Sequence, residues 1–126
     1  MGFLDDVTGL AIQRSLDTAA LRQRVIAHNI ANVDTPGFKR STVLFEDALS
    51  AALGGEGDPD ERARRIAATS PQVERIETSS RLDGNNVDID MEAAELAENA
   101  LRYEALSRLA IARGRLLRAA ISEGRR

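Results

Sequence analysis

Two long stretches of the chain, one near each end, carry apolar or small residues at alternating steps of four and three. This spacing is the seam of a coiled-coil helix, in which one face packs against a partner helix. It predicts one helix over about residues 5–33 and a second over about residues 90–122. The seam residues that we expect to carry most of the contact are Ile12, Leu16, Ile26, Leu96, Tyr103, Leu117 and Ile121.

The segment between the two helical patterns, about residues 34–89, predicts a connector rather than a second domain. Pro36 and Gly37 end the first pattern, because proline cannot continue a helix and Pro-Gly is typical of a type II turn. Residues 38–45 predict a short extended piece, and residues 46–53 predict a single helical stretch. Residues 54–81 are polar and begin with a glycine-rich break, so we expect a flexible segment there.

The fold class predicted for residues 1–126 is therefore one mainly α domain. Its long N- and C-terminal helices form an antiparallel coiled-coil-like pair, and its central segment is short, extended or irregular. An antiparallel pair buries one seam of each helix and leaves the apolar rows beside it exposed to water. Because an exposed apolar stripe of this length marks an interface, the pattern indicates a subunit of an assembly.

The composition of the 126 residues supports the same interpretation. Hydrophobic residues make up 43% of the chain, but 20 of them are alanine and only 3% of the chain is aromatic. Each large apolar side chain is worth roughly 1.5–3 kcal/mol when fully buried, whereas alanine buries little surface. The core of an isolated chain is therefore expected to be modest, which disfavours a close-packed enzyme.

No group of residues indicates catalysis, a cofactor or a metal site, so we predict that the protein is not an enzyme. The chain has no cysteine, and its one histidine, His28, lies at the edge of the first seam. Asp88, Asp90 and Glu92 alternate as calcium ligands do, but the glycine and closing glutamate of an EF-hand are missing. Helix capping and the helix dipole explain these three carboxylates better.

The charge and hydropathy patterns exclude two further classes of partner. The net charge is −3, and the local excess of arginine after residue 101 complements the dipole of the second helix, so we expect no nucleic acid partner. No apolar run approaches the roughly 20 residues of a membrane span, so no direct membrane insertion is expected. Residues 1–6 lack the basic and apolar regions of a secretory signal, so if the protein leaves the cytoplasm we expect a route without a cleaved N-terminal signal.

The sequence from residue 27 to residue 39 resembles the signature of bacterial flagellar axial proteins, the family of rod, hook and hook-associated proteins. Asn29 and Asn32, one turn apart at the end of the helix, are placed to cap carbonyl groups or to bind a neighbouring subunit. The residues after the turn begin an extended segment that can lie along a neighbour. We expect a subunit interface formed by Asn29, Ile30, Ala31, Asn32, Thr35, Pro36, Gly37, Phe38 and Lys39.

Two further strings, residues 84–90 and 95–103, are similar to the proximal-rod members of that family, and the lack of a large insertion between the helices also fits them. The resemblance implies a structural subunit of the proximal rod of the flagellar basal body, the drive shaft that transmits torque from motor to hook. It implies export through the flagellar type III apparatus into the periplasm-spanning rod. The implied partners are other rod proteins, the adaptor between membrane ring and rod, and copies of the chain itself.

One alternative stays open at this point, a small helical secretion chaperone or adaptor. Such a protein would be a well-folded soluble dimer, whereas a rod subunit with an incomplete core would show partial disorder and frayed termini when purified alone. Circular dichroism and hydrogen exchange separate the two.

The seam predicts which substitutions block assembly. We expect Ile26→Asp or Leu117→Asp to reduce incorporation into the assembly far more than Arg64→Ala does. A buried, unpaired carboxylate costs several kcal/mol, whereas a surface arginine in a loop contributes little. Incorporation is measured by blotting purified assemblies from cells that express each variant, and equal incorporation of all three would contradict the predicted seam.

Overall fold

The structure, a computed structural model of the 126-residue chain, describes residues 6–78 and 81–124. In these two ranges the chain forms four helices and two strands. Their order is α1 (Val7–Ala31), β1 (Ser41–Leu44), α2 (Glu46–Gly54), α3 (Pro59–Ala68), β2 (Gln72–Arg75) and α4 (Ile89–Gly124). The predicted fold class is confirmed, since the molecule is mainly helical and its long terminal helices pack against each other.

Helix α1 has a defined start and a defined end. The side chain of Asp6 caps its first turn by accepting a hydrogen bond from the backbone N–H of Gly9 at 2.7 Å. After its last residue the chain makes the predicted type II turn. The N–H of Phe38 donates to the C=O of Thr35 at 3.2 Å, and Gly37 between them has a φ of 75°. The positive φ explains why glycine follows Pro36.

Helices α1 and α4 run antiparallel. Arg113, near the end of α4, forms an ion pair with Asp6 at the start of α1. Midway, the side-chain amide of Asn99 donates to the C=O of Ala19 at 2.9 Å. Ile12, Ala19 and Ile26 lie at steps of seven along α1 and are 5%, 1% and 2% exposed, so a single stripe of α1 supplies its apolar core.

Residues 54–81, for which we expect a flexible segment, contain two regular elements. Residues 59–68 form α3, and residues 72–75 form β2. The side chain of Asp58 caps α3 by accepting from the N–H of Glu61 at 2.9 Å, and Pro59 occupies the first turn, where proline is favoured. Ile66 is completely buried, so one residue anchors this short helix. The flexibility of residues 54–81 remains a prediction.

Arginine side chains join α3 to α1 and to α2. Arg14 of α1 donates to the C=O of Ala67 at 2.6 Å. Arg65 of α3 donates to the C=O groups of Ala52 and Gly55 at 3.2 and 2.9 Å, so it closes the glycine-rich break between α2 and α3. The polar, arginine-rich character of this segment therefore reflects hydrogen bonds to backbone carbonyls as well as solvation.

The two strands form a small antiparallel sheet beside α1. Ser41 pairs with Arg75, and Leu44 pairs with Gln72. Val43 in β1 and Phe45 after it are 4% and 3% exposed, whereas every residue of β2 is exposed. The extended piece predicted over residues 38–45 thus contains β1, and the helical stretch predicted over residues 46–53 is α2.

The burial of Ile66 generates a prediction about stability. We expect Ile66→Ala to lower the free energy of unfolding by about 2–5 kcal/mol, because it leaves a cavity in the contact between α3 and α1. Urea unfolding followed by circular dichroism measures the change. The control is Val73→Ala on exposed β2, for which we expect less than about 1 kcal/mol. Equal, small effects of both substitutions would show that α3 does not pack on α1.

Candidate functional site

The end of α1 and the start of α4 lie at the same end of the helix pair, and the segments beside them are joined by hydrogen bonds. The N–H of Gly37 donates to the C=O of Asp83 at 2.8 Å, and the N–H of Asn86 donates to the C=O of Phe38 at 3.3 Å. We call this arrangement, formed by residues 29–41 and 83–92, the clasp. It brings together two of the three strings that carry the family resemblance, those at residues 27–39 and 84–90.

Asn29, in the last turn of α1, connects all three elements of the clasp. Its side chain is fully buried and pairs with both backbone groups of Ser41. Its Oδ1 accepts from the Ser41 N–H at 2.9 Å, and its Nδ2 donates to the Ser41 C=O at 2.8 Å. The same Nδ2 also lies 3.2 Å from Oε2 of Glu92 in α4. One amide therefore fixes where β1 starts relative to both long helices.

Glu92 is a fully buried carboxylate, and Arg40 is its cationic partner. Nε of Arg40 donates to Oε1 of Glu92 at 2.6 Å, and Nη2 of Arg40 lies 3.3 Å from Oε2 of Glu95. The Glu92 side chain is 0% exposed and the Arg40 side chain 12% exposed. A buried charge is tolerated only when it is paired and hydrogen-bonded, so α4 can dock here only when Arg40 and Asn29 are in place.

Asn85 fills the space beneath the turn that follows α1. It is fully buried, and its Nδ2 donates to the C=O groups of Asn32 and Thr35 at 2.9 and 2.8 Å. Its Oδ1 accepts from the N–H of Val87 at 2.8 Å. Because both donors and the acceptor of one amide are used, an asparagine is the residue that satisfies this position.

Asn86 faces the strand side of the clasp. Its Oδ1 accepts from the N–H of Arg40 at 2.6 Å, and its Nδ2 donates to the C=O groups of Ile76 and Thr78 at 2.7 and 2.6 Å. Two consecutive asparagines thus bind different parts of the chain. Asn85 binds the turn after α1, and Asn86 binds the segments beside the strand pair.

Two glycines allow the clasp to close. Gly84 has a φ of 83°, and a Cβ atom on it would lie 3.4 Å from the Cα of Gly37. Nζ of Lys39 donates to the C=O of Gly84 across this contact. Any side chain at residue 84 would strain the backbone and crowd the facing turn.

The structure places the nine predicted motif residues in different surroundings. Asn29 is buried, Ile30, Asn32, Phe38 and Lys39 are half-buried, and Ala31, Thr35, Pro36 and Gly37 are exposed. The polar side chains make contacts within the chain, since Nδ2 of Asn32 donates to the C=O of His28 at 2.8 Å and Oδ1 accepts from Thr35. Their role in a subunit interface remains a prediction.

The predicted seam residues also differ in burial. Ile12 and Ile26 are buried, and Leu16, Leu96 and Leu117 are half-buried, while Tyr103 and Ile121 are 47% and 57% exposed. The only buried residues of α4 in the described range are the polar Glu92 and Asn99. Asn99 faces α1, since its amide donates to the C=O of Ala19 at 2.9 Å. The role of the seven seam residues remains a prediction.

Sequence reasoning missed the contacts made by four side chains, namely Arg40, Glu92, Asn85 and Asn86. The capping interpretation is confirmed for Asp88, whose Oδ1 accepts from the N–H groups of Asp90 and Met91 at 3.0 and 3.3 Å. Glu92 also lies in the first turn of α4, where a carboxylate suits the helix dipole, and its side chain pairs with Arg40. The available signal was the spacing of Glu92 and Asn99, seven residues apart and so on one face of α4.

A second ionic contact lies outside the clasp, at the start of α2. Glu46 is bound by Arg22 of α1 at 2.8 Å and by Arg102 of α4 at 3.4 Å. Partial burial raises the pKa of Glu46, but the hydrogen bond from Arg22 and the charges of Arg22 and Arg102 act in the opposite direction, so its pKa is lowered overall. Glu46 therefore stays ionised and ties α2 to both long helices.

The clasp consists of amides, one ion pair and backbone groups, which hold segments in register. Across residues 6–78 and 81–124, no cluster of three or more His, Asp or Glu is arranged to bind a metal ion. None of the helices in these ranges combines the length and hydropathy of a membrane span. The arrangement is suited to mechanical connection.

Residues 13–39 match a family model described as flagella basal body rod protein, and this range includes the α1 side of the clasp. The chain is 32% identical over 110 residues to the flagellar basal body rod protein FlgB of Bacillus subtilis, which covers 75% of this chain and 78% of that protein. It is 38% identical over 109 residues to FlgB of Borrelia hermsii, covering 71% and 77%. FlgB of Salmonella typhimurium is 34% identical over 105 residues, covering 73% and 76%.

The buried ion pair generates the prediction for this site. We expect Arg40→Ala to lower the free energy of unfolding by about 3–5 kcal/mol, because it leaves the carboxylate of Glu92 buried without its cation. The double variant Arg40→Met with Glu92→Leu should recover most of this loss. Urea unfolding measures both variants.

The matched control for this prediction is Arg75→Ala, which breaks the ion pair with Glu77. Those side chains are 62% and 69% exposed, so we expect a loss below about 1 kcal/mol. If Arg40→Ala were as mild as Arg75→Ala, the ion pair would not be what holds α4 in the clasp.

Proposed function

The chain belongs to the FlgB family of flagellar basal body rod proteins, and we propose that it is a subunit of the proximal rod, the drive shaft that carries torque from motor to hook. Its role in the rod is structural. The observation that carries the proposal is the match to FlgB relatives at 32% and 38% identity, which spans most of both chains. We further propose that the protein has no enzymatic activity, since its relatives are rod components.

The clasp supports a load-bearing role. A shaft transmits torque only when its elements cannot slide or rotate past one another. The hydrogen bonds of Asn29, Asn85 and Asn86 and the Arg40–Glu92 pair join the end of α1 to the start of α4. A twisting force on one helix is therefore passed to the other through buried, short contacts.

The exposed surface of α4 supports packing against neighbours in the rod. Five large apolar residues on this helix are 52–72% exposed, namely Leu101, Leu109, Ile111, Leu116 and Ile121. A surface of this kind gains free energy when another helix covers it, at roughly 25 cal/mol for each Å² of apolar area removed from water. The chain thus has an unburied apolar surface of the kind that an assembly subunit presents.

The partners that we propose are other rod proteins, the adaptor between membrane ring and rod, and copies of the chain itself. We also propose that the chain reaches the periplasm-spanning rod through the flagellar type III export apparatus without a cleaved signal. The exposed residues of the motif, Ala31, Thr35 and Pro36, would then contact a neighbouring subunit while Asn29 holds the clasp together. No contact in the described ranges favours the chaperone alternative.

Deletion of the gene tests this function. We expect the deletion strain to be non-motile and its basal bodies to contain the membrane ring without any rod. A subunit from farther along the shaft would instead leave a shortened rod behind. Cryo-electron tomography of the basal bodies distinguishes these states, and expression of the wild-type gene from a plasmid is the control. Normal rods in the deletion strain would contradict the proposal.

A further inference from the structure

The two-stranded sheet has one edge that side chains of α1 occupy. Asn29 binds both backbone groups of Ser41, and Nη2 of Arg22 donates to the C=O of Val43 at 2.9 Å. These side chains take the place of a further strand beside β1. The sheet can therefore grow only at the other edge, beyond β2.

The pairing register shows which groups of β2 point to that other edge. The N–H of Ile76 donates to the C=O of Arg40 at 2.9 Å, so these two residues form a hydrogen-bonded pair of the ladder. Such pairs alternate along antiparallel strands. The N–H and C=O groups of Val73 and Arg75 therefore point away from β1, and no hydrogen bond from the described part of the chain reaches them.

Strand β2 is open to a further ladder of hydrogen bonds. Every residue of β2 is exposed, and its register with β1 is continuous over Gln72–Arg75. The strand contains no proline, so nothing within it removes an outward N–H group. An exposed edge of this kind is a template for pairing with another chain.

A groove of about 400 Å³ adjoins the end of this edge. It is lined by Arg75 of β2, by His28 in the last turn of α1, and by Pro36, Phe38 and Lys39 of the segment that follows. The rings of His28 and Phe38 pack edge to face, with centroids 5.5 Å apart. Lys39 and Arg75 are positively charged, and none of the described lining residues is a carboxylate. The groove therefore suits an acidic side chain.

Arg75 is available to a carboxylate from outside the chain. Its own ion pair with Glu77, at 3.1 Å, is exposed on both sides, and exposed pairs contribute little to stability. Residues directly opposite each other on antiparallel strands have side chains on the same face of the sheet. The residue of an added strand that lies opposite Arg75 would thus share the face on which Arg75 lines the groove.

We propose that β2 and this groove bind an extended acidic segment of another rod protein, which adds a third, antiparallel strand to the sheet. The segment carries a glutamate or aspartate opposite Arg75 and an apolar residue two positions later, opposite Val73. Backbone hydrogen bonds at the edge supply affinity, and the acidic side chain in the groove supplies selectivity. This inference rests on the proposed role as a rod subunit and names the chemistry of one partner.

The sequence of β2 disfavours a second copy of this strand as the occupant. Antiparallel pairing of Val73 with Arg75 of the second copy would set the two Glu74 side chains directly opposite each other, which is destabilising. A shift by two residues in one direction would oppose the two Arg75 side chains. A shift in the other direction would set Arg75 against Pro71, which has no N–H to donate.

Binding of short peptides with blocked ends to the full-length chain tests the proposal. The acidic probe has about eight residues, a usual strand length, in which threonine alternates with glutamate and valine in turn. One matched peptide has lysine in place of glutamate, and another has N-methyl groups on the glutamate and valine nitrogens, which then cannot donate to β2. In an NMR titration, we expect the acidic probe to shift the amide resonances of Val73 and Arg75. It should bind at least about tenfold more tightly than either matched peptide.

Two variants of the chain locate the site. Val73→Pro removes an N–H that points away from β1, so it should weaken binding of the acidic probe about tenfold and leave the pairing of β1 with β2 intact. Arg75→Glu should weaken the acidic probe by a similar factor and bind the lysine peptide more tightly than the wild type does. The matched control, Arg64→Glu on exposed α3, makes the same change in net charge and should bind as the wild type does. Circular dichroism should show equal helix content in all variants.

Several outcomes would overturn the proposal. One is the absence of binding of the acidic probe at about 1 mM, and another is equal binding of all three peptides. Self-association of the wild type in sedimentation velocity that Val73→Pro abolishes would also do so, because a second copy would then be the added strand. The proposed function is judged separately: a wild-type gene that restores rods to the deletion strain supports the rod role even if the peptide results reject this contact.

Discussion

The carboxylate of Glu92 is the constraint on which the rest of the structure depends. A buried negative charge must have a cation and further hydrogen bonds, and this chain provides them from Arg40 and Asn29. Arg40 lies just before β1 and Asn29 in the last turn of α1, so satisfying one carboxylate sets the positions of three elements. The turn between α1 and β1 is then closed by the amides of Asn85 and Asn86.

Polar contacts also set the register of the two long helices. The apolar stripe of α1 consists of residues at steps of seven, and a stripe of this kind packs almost equally well after a shift of one heptad. Two polar contacts select one of these alignments, namely Asn99 with Ala19 and Glu92 with Asn29. A shift of one heptad would leave these buried polar groups unpaired. The low apolar content of α4 is therefore compatible with a unique alignment.

The sequence predicted the long helices, the turn at Pro36 and Gly37, and α2. Each of these depends on a local apolar period or on the backbone preferences of neighbouring residues. It did not predict α3 as a helix, although Asp58, Pro59 and Glu61 form a recognisable start, because polar composition dominated the interpretation. It also could not assign Glu92, since its partners lie 52 and 63 residues away and only the fold brings them together. The signature string was identified correctly as a family motif. Its asparagines make hydrogen bonds within the chain, and Asn32 caps the C=O of His28, which was one of the two roles expected of it.

The division of polar and apolar residues along α4 follows from these constraints. Where α4 meets α1 near the clasp, specificity comes from buried polar groups, and little apolar surface is hidden. Farther along, the helix keeps large residues such as Leu109 and Leu116 exposed. Burying them within one chain would require a third long helix, which the described residues do not contain. In this alanine-rich chain, much of the free energy of burying apolar surface is therefore gained only when a neighbour covers α4. The clasp holds that surface of α4 in a fixed position before the neighbour binds.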